Sequence, residues 1–137
     1  MTEPVEPVRE TPAQPFADAD VATADRLLER MHQEVFNEPD PQRRAAAIAE
    51  VFTEDVVFVD PERTVTGRDD LTVAVAGLLA QSPGFVFSPA GPFRGVGELG
   101  MRPWQLGPAG GQPVLGGLDV VLVVEGRIAR LYTVLDT

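Results

Sequence analysis

The sequence predicts an α+β fold in which helices are segregated from an antiparallel sheet. Three observations carry that prediction. Apolar residues recur at helical spacing in three segments before Ser82. From Phe85 onward the pattern changes to short apolar runs punctuated by Gly and Pro. Two runs, Val56-Val57-Phe58-Val59 and Val120-Val121-Leu122-Val123-Val124, read as buried strands, and each abuts an aspartate, Asp60 and Asp119.

The elements follow in order. Residues 1–16 alternate proline with glutamate and offer few apolar groups to offset ordering entropy, so they read as a disordered acidic tail ahead of one domain over 17–137. Residues 20–36 form a first helix, capped by Asp18 or Asp20, with Val21, Ala24, Leu27, Leu28, Met31 and Val35 on one face. Asp40 caps a second helix that opens on Pro41 and turns Ala45, Ile48, Ala49 and Phe52 inward. A strand over 56–60 and a polar connection over 62–66 lead to a third helix, Arg68 to Ala80, which Ser82-Pro83-Gly84 stops. Phe85 to Ser88 is a short strand. Residues 94–106 form a longer one, with Gly95, Gly97 and Gly100 as candidate bulges. Residues 113–124 and 127–135 form a hairpin about Glu125-Gly126. The run 118–124 is apolar at both parities, so one face lies against helices and the other needs a partner or a cavity.

Composition excludes several function classes. The net charge of −10 argues against a nucleic-acid partner. All 11 basic side chains are arginine, which removes lysine Schiff bases and the Walker lysine. One histidine and no cysteine exclude the common zinc sites and a thiol nucleophile. Ser82 and Ser88 lie outside any nucleophile-elbow context. No apolar run is long enough to span a bilayer, and the N-terminus lacks the pattern of a signal peptide. The expectation is a cytoplasmic protein with no membrane partner and neither metal nor organic cofactor.

A carboxylate beside a buried strand must be paired, hydrogen-bonded or shifted in pKa, and shifted carboxylates serve proton transfer. Alternation puts Phe58 and Asp60 on one strand face. A two-residue turn at Glu125-Gly126 places Asp119 opposite Tyr132 and Val121 opposite Arg130, a small polar group on an apolar wall. His32 sits at the edge of the first helix's apolar face. Plainer readings stand beside these. Asp60 before Pro61 suits a turn cap. Asp119 suits a structural pair with Tyr132 or Arg130, Tyr132 a wall residue, and His32 a partly buried helix residue. Arg130 suits solvent or a partner. Trp104 suits core or interface as well as a ligand wall, and Phe58, Phe85, Phe87 and Met101 suit core or pocket lining. Arg102 and Glu98 read as surface residues.

The segment Phe52-Thr53-Glu54-Asp55-Val56-Val57-Phe58-Val59-Asp60-Pro61, then Thr66-Gly67-Arg68-Asp69, Gly117-Leu118-Asp119-Val120 and Tyr132-Thr133-Val134-Leu135-Asp136, resembles the nuclear transport factor 2-like superfamily, specifically its SnoaL-like and ketosteroid-isomerase-like members. That resemblance implies a curved sheet wrapped as a cone around three N-terminal helices, an apolar pocket at its mouth, and a homodimer through the outer sheet face. It also implies roles: Asp60 as general base, Asp119 as hydrogen-bond donor to an oxyanion, and His32 where those isomerases carry a tyrosine. Phe58, Trp104, Met101, Tyr132 and Arg130 would contact substrate. No Arg-x-Asp stands in the long strand before the final hairpin, so epoxide hydrolysis is not implied. The expected function is binding of a small apolar molecule, with acid–base isomerisation or cyclisation of a carbonyl or polyketide-like compound. The alternative is a non-catalytic ligand-binding or dimerisation module.

Overall fold

A computed structural model describes residues 17–136, so the expected tail over 1–16 lies outside them. Helix α1 spans Ala17–Arg30 and continues as a π-helical turn, Met31–Phe36. Asp18 and Asp20 fall inside α1, so neither is its N-cap. Helix α2, Pro41–Val51, starts as predicted: the Asp40 carboxylate accepts the Arg43 amide at 3.0 Å, with Pro41 in the first turn. Its inward face differs from the expected one. Arg44, Ala47, Ile48 and Val51 are buried, whereas Ala45 and Ala49 are exposed. The Arg44 guanidinium explains this, because it donates to the carbonyls of Glu38 and Pro39 and so caps the turn before the helix from inside. Helix α3 spans Arg68–Gln81 and buries Leu71 and Val75. Across the first two helices, the Arg30 guanidinium bonds Glu34 and Glu50, and the bond to Arg30 holds the Glu34 carboxyl below its ordinary range.

Seven strands form one curved sheet: β1 Phe52–Asp60, β2 Arg63–Thr66, β3 Phe85–Pro89, β4 Arg94–Val96, β5 Leu99–Pro108, β6 Leu115–Val124 and β7 Arg127–Leu135. The order is β2-β1-β7-β6-β5-β3, with β4 also on β5. The sheet is mixed, because β1 and β7 run parallel. A purely antiparallel expectation missed this, since the pairing joins strands far apart in sequence. The connection expected over 62–66 is strand β2, paired to β1. The broken strand expected over 94–106 is a hairpin of β4 and β5, with Gly97 (φ 55°) in the turn instead of a bulge. Glu125 (φ 50°) and Gly126 (φ 79°) make the left-handed pair that a two-residue hairpin turn requires.

The helices cover the concave face. Helix α1 packs on β4, β5 and β6, and α3 lies over β1 and β2. Leu28, Met31, Val35, Ile48, Phe52, Phe58, Val121, Ile128 and Leu131 make the core between them. No helix among the described residues is long and apolar enough to cross a membrane.

Candidate functional site

One register shift decides which side chains face the concave side. Val124 pairs with Arg127 and Val123 with Ile128, but Leu122 pairs with Arg130, so Ala129 is an extra residue in β7. A one-residue slip turns every later side chain to the other face. Asp119 therefore pairs with Thr133, and Tyr132 pairs with Val120. Tyr132 and Arg130 lie on the convex face, where the guanidinium donates to the phenol oxygen at 3.2 Å. Met101 pairs with Val120 and joins them there. The expectation that Tyr132 and Arg130 line the pocket is thus corrected by a single bulge, and that for Met101 by the parity of its own strand, which gives the concave face to Gly100, Arg102 and Trp104.

The concave face holds a cavity of about 210 Å³ between the sheet and the helices, open at one end of the cone. An apolar cavity of about 150 Å³ holds a benzene, so a ring compound with small substituents fits here. Phe36, Phe58, Leu78, Phe87, Trp104 and Leu106 form much of its apolar wall. Leu115 and Leu135, partly exposed, stand at the rim. His32, Asp60 and Asp119, the three residues singled out for chemistry, all line this one space, as do Phe58 and Trp104.

Asp119 projects from β6 at a parity otherwise filled by Val121 and Val123, and it is 4% exposed. Its Oδ2 lies 2.7 Å from His32 Nε2, and its Oδ1 accepts the Thr133 hydroxyl at 2.7 Å. An ionised carboxylate only accepts, so Nε2 carries a proton and Thr133 donates its own. In the neutral imidazole, Nδ1 is then a bare acceptor, and it has no partner among the described residues. His32 is 3% exposed, its ring stacked on Phe87 with centroids 5.9 Å apart and edge-on to Phe36. The π-helical turn carries it; such insertions re-aim side chains and are frequent at functional sites.

Asp60 ends β1 and does two structural jobs. Its Oδ1 accepts the amides of Glu62 and Arg63, both at 2.9 Å, and its Oδ2 faces Arg63 Nε at 3.3 Å. Val59 pairs with Tyr132, so one step further Asp60 stands beside Thr133. Asp60, Thr133 and Asp119 thus form a polar row across β1, β7 and β6, with the apolar row Phe58, Leu131 and Val121 beneath it.

Two further residues escaped the sequence reading. Asn37 donates Nδ2–H to the Phe87 carbonyl at 2.8 Å and accepts the Phe87 amide at 2.7 Å, so its side chain mimics a strand and fixes the ring that stacks on His32. The Asn37→Ala variant leaves both backbone groups unpaired. It should lose about 2 kcal/mol of stability, seen as a lower urea midpoint with unchanged slope. Arg102, expected at the surface, is turned inward on β5, bonds Asp25 of α1 and lies over the Phe93 ring. Its pairing partner Asp119 places it at the end of the polar row. Among the described residues no group of three His, Asp or Glu side chains is placed to hold a metal.

The model of the SnoaL-like domain family matches residues 28–131. A solved SnoaL-like family protein from Agrobacterium tumefaciens str. C58, provisionally named an isomerase, is 27% identical, with 85% of this chain and 99% of that chain covered and a TM-score of 0.79. A provisionally named SnoaL-like polyketide cyclase from Jannaschia sp. CCS1 shares the fold at 14% identity, covering 93% and 92%, with a TM-score of 0.70. A provisionally named ketosteroid isomerase from Kribbella flavida DSM 17836 does so at 20% identity, covering 86% and 81%, with a TM-score of 0.66. No curated protein matches the sequence.

Proposed function

The chain belongs to the SnoaL-like family, and from that premise we propose that it binds a small, mostly apolar carbonyl compound in the cone and moves a proton on it. The observation that carries this reading is the buried His32–Asp119 pair on the wall of a mostly apolar cavity. The pair takes a proton from a carbon next to the ligand's carbonyl. The electron pair left behind delocalises into that carbonyl as an enolate. Return of the proton to another carbon completes an isomerisation. Attack of the enolate on a second carbonyl of the same molecule forms a carbon–carbon bond and leaves an alkoxide that takes the proton back, which is a cyclisation. Such general acid–base steps contribute about 10²–10⁴-fold in rate.

A second reading, binding without turnover, is favoured by the engagement of both carboxylates: Asp60 with Arg63 and Asp119 with His32. Solvent-deuterium exchange separates the two. The protein should accelerate deuterium uptake next to the carbonyl of fused-ring ketones such as β-tetralone, followed by mass spectrometry. Binding of these ketones with exchange at the buffer rate would leave only the second reading.

We also propose that a second copy covers the convex sheet face. Val59, Tyr132, Val120 and Met101 form one row across four strands there, and Val134 next to it is 51% exposed. Sedimentation equilibrium should give a dimer, and Val120→Asp should give a folded monomer. A wild-type monomer at high protein concentration would refute this.

A further inference from the structure

We infer that Arg63 reads a neutral hydrogen-bond acceptor on the ligand at the mouth of the cavity, and that Asp60 is its positioning residue. This rests on the cavity being a ligand site, as proposed above. Arg63 lines the cavity from β2 with its side chain 23% exposed. Its Nε faces Asp60 Oδ2 at 3.3 Å, and one terminal nitrogen donates to Glu62 Oε2 at 3.1 Å. A guanidinium has five N–H donors in a fixed plane. One donates to Glu62 and one faces the Asp60 carboxylate as an ion pair, and the others have no partner among the described residues. The plane is engaged from two sides, which restricts the rotation of the donors left for a ligand oxygen.

The opposite polar station offers the reverse chemistry. Thr133 gives its only proton to Asp119, and Asp119 accepts from both Thr133 and His32. Asp119, Thr133 and a neutral His32 therefore present lone pairs only. Arg63 on β2 stands two strand spacings from Thr133 on β7 and three from Asp119 on β6, about 10–14 Å, the span of one ring with a group at each end and a hydrogen bond beyond each group. The cavity therefore selects a molecule with a donating end directed at Asp119 and Thr133, a hydroxyl or the enol form of the carbonyl acted on there, and a second, accepting carbonyl end directed at Arg63. Charge selects further. Three carboxylates, Asp60, Glu62 and Asp119, line the space against one guanidinium, so a ketone or ester is favoured over a carboxylate.

Asp60 is engaged on both oxygens by this arrangement. Two amides donate to Oδ1, and the guanidinium edge faces Oδ2. It fixes the plane of Arg63 and acts on the ligand through it.

The test measures affinities through Trp104, the single tryptophan, whose ring lines the cavity and reports occupancy by fluorescence. The probes are methyl para-hydroxybenzoate, which has both ends, para-cresol, which lacks the acceptor, and para-hydroxybenzoate, which replaces it by an anion. Wild type should bind the ester more tightly than either of the others. Arg63→Gln should weaken the ester by about tenfold or more, as loss of a charged hydrogen bond does, and leave para-cresol unchanged. Arg63→Lys should recover part of the difference, and Asp60→Asn should weaken the ester alone. Equal effects of Arg63→Gln on ester and cresol, or no effect on either, would overturn the role of Arg63 while leaving the ligand site intact. Failure of every probe to bind wild type would overturn the ligand site and the Arg63 role with it.

Discussion

Asp119→Asn is expected to slow deuterium uptake into β-tetralone by about 10²–10⁴-fold. The substitution preserves volume, which matters at a side chain only 4% exposed. It removes the negative charge that makes the imidazole–carboxylate pair a proton acceptor. The amide oxygen still accepts from His32 Nε2. The amide nitrogen then faces Thr133, whose hydroxyl reverses to accept. Hydrogen bonding is retained in kind, so stability should fall by no more than about 1–3 kcal/mol. Affinity for para-cresol, read from Trp104, should change far less than the exchange rate. A variant that folds, binds and exchanges within a few-fold of wild type would remove Asp119 from the chemistry. His32→Gln gives an independent reading of the same pair. It should also abolish exchange, because the amide cannot take up a proton near neutral pH.

The second large effect is on folding. Gly117 sits on β6 opposite Trp104 on one side and Leu135 on the other. The indole lies flat over it: a Cβ there would meet the Trp104 ring 2.5 Å away and press on the Val134 carbonyl. Neither neighbour is a flexible chain end. Gly117→Ala should destabilise the protein by about 3 kcal/mol, the upper part of the range for overpacking. The measurement is the urea midpoint, read beside the near-ultraviolet signal of Trp104. A loss confined to that signal would mean that the indole swings away and only the cavity wall changes. A midpoint equal to wild type with the signal intact would contradict the packing. Gly116, its neighbour, pairs with Gln105 on the other parity; a Cβ there meets the Asp136 carboxylate at 2.9 Å, the end of a movable side chain, and no indole, which makes Gly116→Ala the control.

Much of this site was legible because its signals are local. Asp60 and Asp119 stood out as charges beside apolar strands, and His32 as a titratable residue at the edge of an apolar helical face. All three line the same cavity. Asp40-Pro41 and Glu125-Gly126 fixed a helix start and a turn through their own backbone chemistry. What stayed hidden depends on the rest of the molecule. The extra residue at Ala129 reverses Tyr132 and Arg130, and a clean alternation assumed from the turn cannot reveal it. A signal was present: Ile128 and Leu131, both fully buried, are three residues apart, a spacing that period two does not allow. Asn37 has no pattern, since its value lies in reaching Phe87, fifty positions away. Asp119 was expected to pair with Tyr132 or Arg130 on the neighbouring strand; its partner there is Thr133, and its second partner, His32, stands on a helix.

The position of β7 has a consequence for how the molecule comes into being. It lies between β1 and β6, joining the two parts of the sheet, yet among the described strands it leaves the ribosome last. Until then β1 and β2 form an isolated ribbon with an open edge, and Phe52, Val56 and Phe58 lack Ile128 and Leu131 across from them. Closure of a contact so distant in sequence is slow and leaves greasy surface uncovered during synthesis. The hollow therefore forms in one late step, and a nascent chain held before Arg127 should bind no ligand and should engage chaperones.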